Sequence, residues 1–181
     1  MGNCKIMYNT KTVDYHGDDI VEIGKVVNTD TQEDMIYIRY DKNLFKKESC
    51  HTCIYVFEDE NGEFPVAMTD DLHRECLYNQ PNIYLATVLH EYGHYINGDL
   101  DANEGLTNPI IMDERNRCIA EGRVMPQELK ADAVAISFVG KNTFMRSMDY
   151  LIKKRRERGD SGADLAIREF ELRKKAAQKY R

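Results

Sequence analysis

The sequence has no tryptophan, only four prolines and five cysteines among its 181 residues. An odd cysteine count without a framework spacing argues against a disulfide-rich secreted domain and favours reduced thiols inside a cell. The longest apolar stretches, such as 133–139, fall far short of the roughly 20 residues that a membrane-spanning helix needs. The first residues lack the apolar core of a secretory signal peptide. We therefore predict a cytoplasmic protein that makes no membrane contact.

Charge is abundant but unevenly distributed along the chain. Charged residues make up 31% of the sequence, above the usual share of about 25%, and the 42% of hydrophobic residues is enough for a folded domain. The net charge is −6, yet residues 151–181 hold 11 basic and 5 acidic side chains. Such a segment is typical of a solvated helical face, and it also suits an acidic partner, nucleic acid or the acidic body of the chain. We do not expect nucleic acid, because Phe170 and Tyr180 alone provide no aromatic-rich basic groove.

The pattern of apolar residues changes from strand-like to helical along the chain. Strands are predicted over 4–8, 20–27, 35–40, 53–58 and 63–68, with Asn61-Gly62 marking a hairpin between the last two. Helices are predicted over 70–79, 83–96, 113–121, 126–140, 142–158 and 163–180. This order predicts an α+β fold, in which a small N-terminal antiparallel sheet precedes a helical layer. We place a domain over 1–158 and a basic C-terminal helix over 159–181.

The helix predicted over 83–96 contains the motif His-Glu-Tyr-Gly-His. Its two histidines, His90 and His94, lie four residues apart and therefore on one face, where they can bind one metal ion. A glutamate directly after the first histidine is typical of zinc sites in which it acts as general base on a metal-bound water. The sequence thus predicts zinc as cofactor and Glu91 as the catalytic residue. Gly93 costs roughly 1 kcal/mol against alanine in mid-helix, which predicts that another element approaches closely there.

A catalytic zinc ion usually has a third protein ligand. Glu128 is the candidate, because it follows His94 by 34 residues on the next long predicted helix. Asp132 lies four residues later on the same face, where its carboxylate can orient a ligand histidine. Two simpler interpretations stay open at this point. Glu128 can be a first-turn acid favoured by the helix dipole, and Asp132 a plain surface acid.

The motif at 90–94, followed by Glu-Leu-Lys-Ala-Asp from Glu128 to Asp132, resembles the gluzincin metallopeptidases. The pattern of that group is HExxH followed by ExxAD or ExxAN. Two of its branches are similar, namely the small ImmA/IrrE-type peptidases and the HtpX/CAAX-protease-like family. The similarity covers residues 83–140, and the short gap to Glu128 is nearer the ImmA/IrrE pattern.

The resemblance implies a zincin-like fold and the hydrolysis of a peptide bond in a protein or peptide substrate. It implies zinc ligation by His90, His94 and Glu128, with Asp132 in support. It also implies that the strand before the metal-binding helix, here 63–68, binds substrate as an added strand. The alternative is a catalytically silent metal-binding regulatory or interaction protein of the same fold. Glu91 argues against that alternative, because a purely structural metal site needs no base.

Two further groups of residues remain open from the sequence. An oxyanion-stabilising donor is usual in such sites, and the candidates, without preference, are Tyr150, Arg146 and His73. A structural zinc site at Cys50-His51-Thr52-Cys53 would need two more ligands, drawn from His73, Cys76 and Cys4. A single Cys-x-x-Cys is a weak signal, and reduced cysteines leading into a strand are the simpler expectation.

Overall fold

The computed structural model of the protein describes residues 3–15, 18–40, 53–69, 71–99, 109–159 and 162–180. The described strands are β1 (Cys4–Tyr15), β2 (Asp18–Asn28), β3 (Asp34–Tyr40), β4 (Cys53–Asp59) and β5 (Gly62–Thr69). The described helices are α1 (Asp71–Asn79), α2 (Pro81–Ile96), α3 (Pro109–Ala120), α4 (Pro126–Val139), α5 (Lys141–Arg158) and α6 (Ala163–Ala177). This order confirms the predicted α+β class. No helix within these ranges is long and apolar enough to cross a bilayer.

The five described strands form one sheet in the order β1-β2-β3-β5-β4. The pairs β1–β2, β2–β3 and β4–β5 are antiparallel, whereas β3–β5 is parallel. The sheet is therefore mixed, not wholly antiparallel as predicted. The reason is that the predicted hairpin forms, with Asp59 opposite Gly62, but its second strand and not its first lies against β3.

β5 lies inside the sheet, between β3 and β4. Its last five residues are all buried, as expected for a strand with neighbours on both sides. A peptide can join a sheet only along a free edge. The implication that the strand at 63–68 binds substrate as an added strand is therefore wrong. The edges of the described sheet are β1 and β4.

α2 lies at the centre of the helical layer, where it packs against α1, α4 and α5 and contacts the sheet. Pro81 suits the first turn, because its missing N–H would have no helical partner there. Gly98, with a φ of 70°, ends the helix in the left-handed conformation. Tyr84 and Leu89 are fully buried in the core cluster. Because α2 is buried on several sides, side chains on its different faces meet different helices.

α2 and α4 lie in close contact at Gly93. A Cβ atom added to Gly93 would lie 2.7 Å from the Cα of Ala131 and 2.9 Å from its carbonyl oxygen. These are backbone atoms, so the two helices touch without intervening side chains. The close approach predicted from the mid-helix glycine is confirmed, and it brings the face of α4 that carries Glu128 and Asp132 against α2.

Replacing Gly93 by alanine is expected to lower the free energy of unfolding by roughly 1–3 kcal/mol, because overpacking outweighs the gain of about 1 kcal/mol in helix propensity. Urea unfolding followed by circular dichroism measures the change. The double variant Gly93→Ala/Ala131→Gly is the control. It removes the Ala131 methyl group but neither of the two nearest atoms, so the loss should persist. Full recovery in the double variant would contradict a backbone contact.

α6 packs against α3, α4 and α5. Phe170 and Ala177 belong to the same hydrophobic cluster as the core residues of α2 and the sheet. The Tyr180 hydroxyl donates a hydrogen bond of 3.1 Å to the carbonyl oxygen of Leu129 in α4. The predicted boundary between 158 and 159 falls in the connection between α5 and α6, and α6 shares its core with the preceding helices.

Candidate metal centre

His90 and His94 on α2 and Glu128 on α4 form a buried cluster. The Nε2 atoms of the two histidines are 3.2 Å apart. Glu128 Oε2 lies 3.3 Å from His90 Nε2, and Glu128 Oε1 lies 3.7 Å from His94 Nε2. Donors bound tetrahedrally to zinc at 2.0–2.1 Å are separated from one another by about 3.4 Å. The three side chains are therefore spaced as ligands of one small cation.

Asp132 faces the other ring nitrogen of His90. Its Oδ1 atom lies 2.9 Å from His90 Nδ1, and its side chain is buried. An Nδ1–H that donates to this carboxylate leaves the Nε2 lone pair directed at the cluster, which is the tautomer a metal ligand needs. The structure thus brings Asp132 together with the ligand histidine that it was predicted to orient.

His94 has a carboxylate partner of its own, Asp99, which is not among the site residues predicted from the sequence. Asp99 Oδ2 lies 3.0 Å from His94 Nδ1. After α2, the left-handed Gly98 reverses the chain, and the Asp99 N–H donates a 3.0 Å hydrogen bond to the His94 carbonyl oxygen. This bond closes a Schellman turn, which returns residue 99 to the last turn of the helix. The helix-ending glycine followed at once by aspartate is the signal that could have revealed it.

Asp99→Ala is expected to weaken zinc binding by roughly 10–100-fold, because His94 loses the acceptor that fixes its tautomer and orientation. Competition against a chelator of known affinity measures the change. Asp34→Ala is the matched control, since Asp34 is a sheet carboxylate paired with Lys25 at 2.6 Å. Equal zinc affinity in the two variants would contradict a role for Asp99.

The cluster contains three buried acids and one buried side chain with a permanent positive charge. Glu91, Glu128 and Asp132 are all buried, and the cation that faces them is Arg173. Burial and the Arg173 guanidinium oppose a charged imidazole, yet hydrogen bonds to Asp132 and Glu128 outweigh them and raise the pKa of His90 to about 9. Burial also works against ionised Glu128, but the His90 hydrogen bond and Arg173 hold its pKa well below the usual range. The site thus favours a cation, and a metal ion can take the place of the His90 proton.

Glu91 follows the first ligand on α2 and is buried with it. Burial raises the pKa of its carboxyl group, while the charges of His90 and His94 act in the opposite direction. A carboxylate in such surroundings holds a proton more readily than an exposed one. This is the property that a general base needs when it must accept a proton near neutral pH.

An arginine of α6, Arg173, reaches into the cluster. Its Nε atom lies 3.2 and 3.0 Å from the two carboxylate oxygens of Asp132, and its Nη1 atom lies 3.3 Å from Glu128 Oε2. Its Nη2 atom donates to Asp132 and lies 2.9 Å from Nδ1 and 3.2 Å from Nε2 of His90. An atom so nearly equidistant from both ring nitrogens must sit over the ring face, because in the ring plane it would collide with the carbon between them. The Nη2 atom therefore lies against the face of the His90 ring, while the guanidinium pairs with both acids.

A second ion pair lies behind Arg173. Glu169, four residues earlier on α6 and 1% exposed, accepts hydrogen bonds from Nε and Nη2 of Arg115 on α3, the first at 2.9 Å. Residues four apart share a helix face. The charge of Glu169 is among those that favour the ionised Arg173. A line of charged side chains thus runs from α3 through α6 to the metal-binding faces of α4 and α2.

The three residues considered as oxyanion donors lie in different surroundings. Tyr150 forms a hydrogen bond with Cys76, Arg146 is exposed and His73 is buried on α1. No assignment of an oxyanion donor follows from these positions. The weakly indicated second zinc site at 50–53 lies largely outside the described residues. Cys4 and Cys76 are free thiols.

Comparison of the chain with models of protein families, with curated proteins and with solved structures finds no match. The likeness to the gluzincin pattern therefore rests on the two motifs and on the side-chain geometry described above. These residues form a buried group of two imidazoles and one carboxylate that could hold a metal ion.

Proposed function

We propose that the protein is a zinc-dependent peptidase of the gluzincin type. The observation that carries the proposal is the convergence of His90 Nε2, His94 Nε2 and the two carboxylate oxygens of Glu128, at separations of 3.2 to 3.7 Å. The second support is Glu91, a buried acid next to the first ligand on the same helix. A site that only stabilised the fold would have no use for such a base.

The donor set favours zinc and a catalytic site. Two imidazole nitrogens and one carboxylate oxygen are typical of catalytic zinc sites, which keep a fourth position for water or substrate. Magnesium and calcium prefer sites made of oxygen ligands. Structural zinc sites are usually closed by a fourth protein ligand, whereas the group found within the described part of the chain has three.

Each residue of the site then has a definite task. His90, His94 and Glu128 would hold the ion, and the carboxylates behind the two imidazoles fix the tautomers. Zinc, when bound, supplies Lewis acidity towards a substrate carbonyl and makes water easier to ionise at neutral pH. Glu91 takes a proton from the attacking water and passes it to the leaving nitrogen, so that the peptide bond breaks with loss of a neutral amine and not of an amide anion.

The test is the incubation of zinc-loaded protein with a peptide library derived from a whole proteome, followed by mass spectrometry of new peptide termini. We expect new termini that disappear with a chelator and return when zinc is added back. The Glu91→Gln variant is the background control. If the wild type produces no more termini than this variant while it binds zinc, the silent regulatory alternative replaces the peptidase.

A further inference from the structure

We infer that Arg173 is a positioning residue of the metal centre, so that the basic helix α6 is part of the site. The inference rests on the proposed metal site and deepens it. Neither motif that defines the site contains Arg173, which lies 83 residues after His90. The guanidinium nevertheless contacts two of the three proposed ligands, His90 and Glu128.

The burial of Arg173 shows that its donors are in use. The residue is only 4% exposed, and a buried charge is strongly unfavourable unless paired and hydrogen-bonded. Both oxygens of Asp132 accept from Nε, and Nη2 also donates to Oδ1. A planar fork that binds a carboxylate through two nitrogens fixes the plane of that carboxylate as well as its position. Lysine, a point charge, cannot do this.

The same carboxylate orients a ligand, so its placement matters for the metal. Asp132 Oδ1 accepts from His90 Nδ1 at 2.9 Å as well as from Arg173. The Nη2 atom also lies against the His90 ring, 2.9 and 3.2 Å from its two nitrogens, and this contact restricts rotation of the imidazole about its side-chain bonds. On the other side, Nη1 holds Glu128 Oε2 at 3.3 Å. One side chain therefore sets the directions of two ligands at once.

A second ion pair lies on the same face of α6 as Arg173. The buried Glu169, four residues earlier, accepts hydrogen bonds from two nitrogens of Arg115 on α3. The charge of Glu169 favours the ionised form of Arg173. The charged side chains that support the proposed metal site therefore extend from α6 to α3.

A cation at this place could also act in the opposite way, by competing with the metal for the acids. The two roles predict opposite changes in metal affinity. A positioning residue strengthens binding because it prearranges Glu128 and His90. A competing cation weakens binding, so that its removal would tighten it.

The test compares Arg173→Met, which keeps the length of the side chain without its charge, with Arg173→Lys, which keeps the charge without the fork. Arg155→Met on α5 is the matched control, since Arg155 is also 4% exposed. The readouts are zinc affinity by chelator competition, the visible absorption spectrum of the cobalt-substituted protein and thermal unfolding. We expect zinc affinity to fall roughly 10–100-fold in Arg173→Met, with a changed cobalt spectrum and a smaller loss in Arg173→Lys. Arg155→Met should lower stability alone.

Three results would overturn the inference. Tighter zinc binding by Arg173→Met would make the arginine a competitor of the metal. Unchanged affinity and cobalt spectrum in a less stable variant would make it a structural anchor only. If Arg173→Met does not fold, Arg173→Lys decides by the same two measurements. Absence of zinc from the wild type would instead refute the proposed function itself, and the inference with it, before any variant is compared.

Discussion

Glu91→Gln is expected to slow peptide cleavage by roughly 10²–10⁴-fold while one equivalent of zinc remains bound. Glutamine preserves the size of the side chain but cannot accept a proton from water. Zinc should remain, because the atoms that converge at the site belong to His90, His94 and Glu128. The measurement is the initial rate on a peptide that the library assay shows to be cleaved, together with the zinc content of the same sample.

The unfolding temperature of Glu91→Gln distinguishes loss of the general base from loss of the folded structure. Glu91 is buried, and burial raises the pKa of its carboxyl group, which means that its ionised form is disfavoured there. A neutral amide is therefore expected to leave the unfolding temperature unchanged or higher. Glu114→Gln, at an exposed position of α3, is the matched control and should keep full activity. Full activity in Glu91→Gln would refute the general-base role.

His94→Ala is expected to remove zinc almost completely. The side chain is 1% exposed and offers Nε2 to the cluster, so its removal leaves a buried site with only one imidazole and one carboxylate for the ion. The zinc content of purified protein should fall from one equivalent to near zero. Zinc at a free concentration a thousand times its Kd should also stabilise the wild type by about 4 kcal/mol and raise its unfolding temperature. The unfolding temperature of the variant should not respond to zinc.

His73→Ala is the matched control for this experiment, because His73 is also a buried histidine, 2% exposed on α1. Its removal should lower stability while zinc content and the zinc response persist. Zinc retained at wild-type affinity in His94→Ala would show that the ion is held by a different set of residues.

The residues of the two motifs could be predicted because helical periodicity is local. A spacing of four places His90 beside His94 and Glu128 beside Asp132, whatever the rest of the chain does. Gly93 likewise predicted a close contact with another element, because glycine is unfavourable in the middle of a helix unless something approaches it closely. Asp99 depends on a turn rather than on periodicity, since the left-handed Gly98 must first fold the chain back along α2.

Arg173 and the position of β5 were beyond such local reasoning. Arg173 is one of 11 basic residues in 151–181, and only the packing of α6 selects it to face inward. The turn sequence predicts the hairpin of β4 and β5, but it does not predict which of these two strands pairs with β3. Which of the two strands lies beside β3 depends on a contact between distant segments, and periodicity carries no information about that choice.

The placement of Arg173 has a consequence for the order of events during synthesis. The ribosome completes α2 and α4, with both sequence motifs, before it reaches residue 173, and chains fold from the N-terminus as they emerge. Until α6 is made, the two acids of α4 face His90 without their guanidinium. A chain that ends after α5 thus has every signature residue of the proposed peptidase but not its finished site. Dependence on this late helix would delay completion of the site until the helical core is closed.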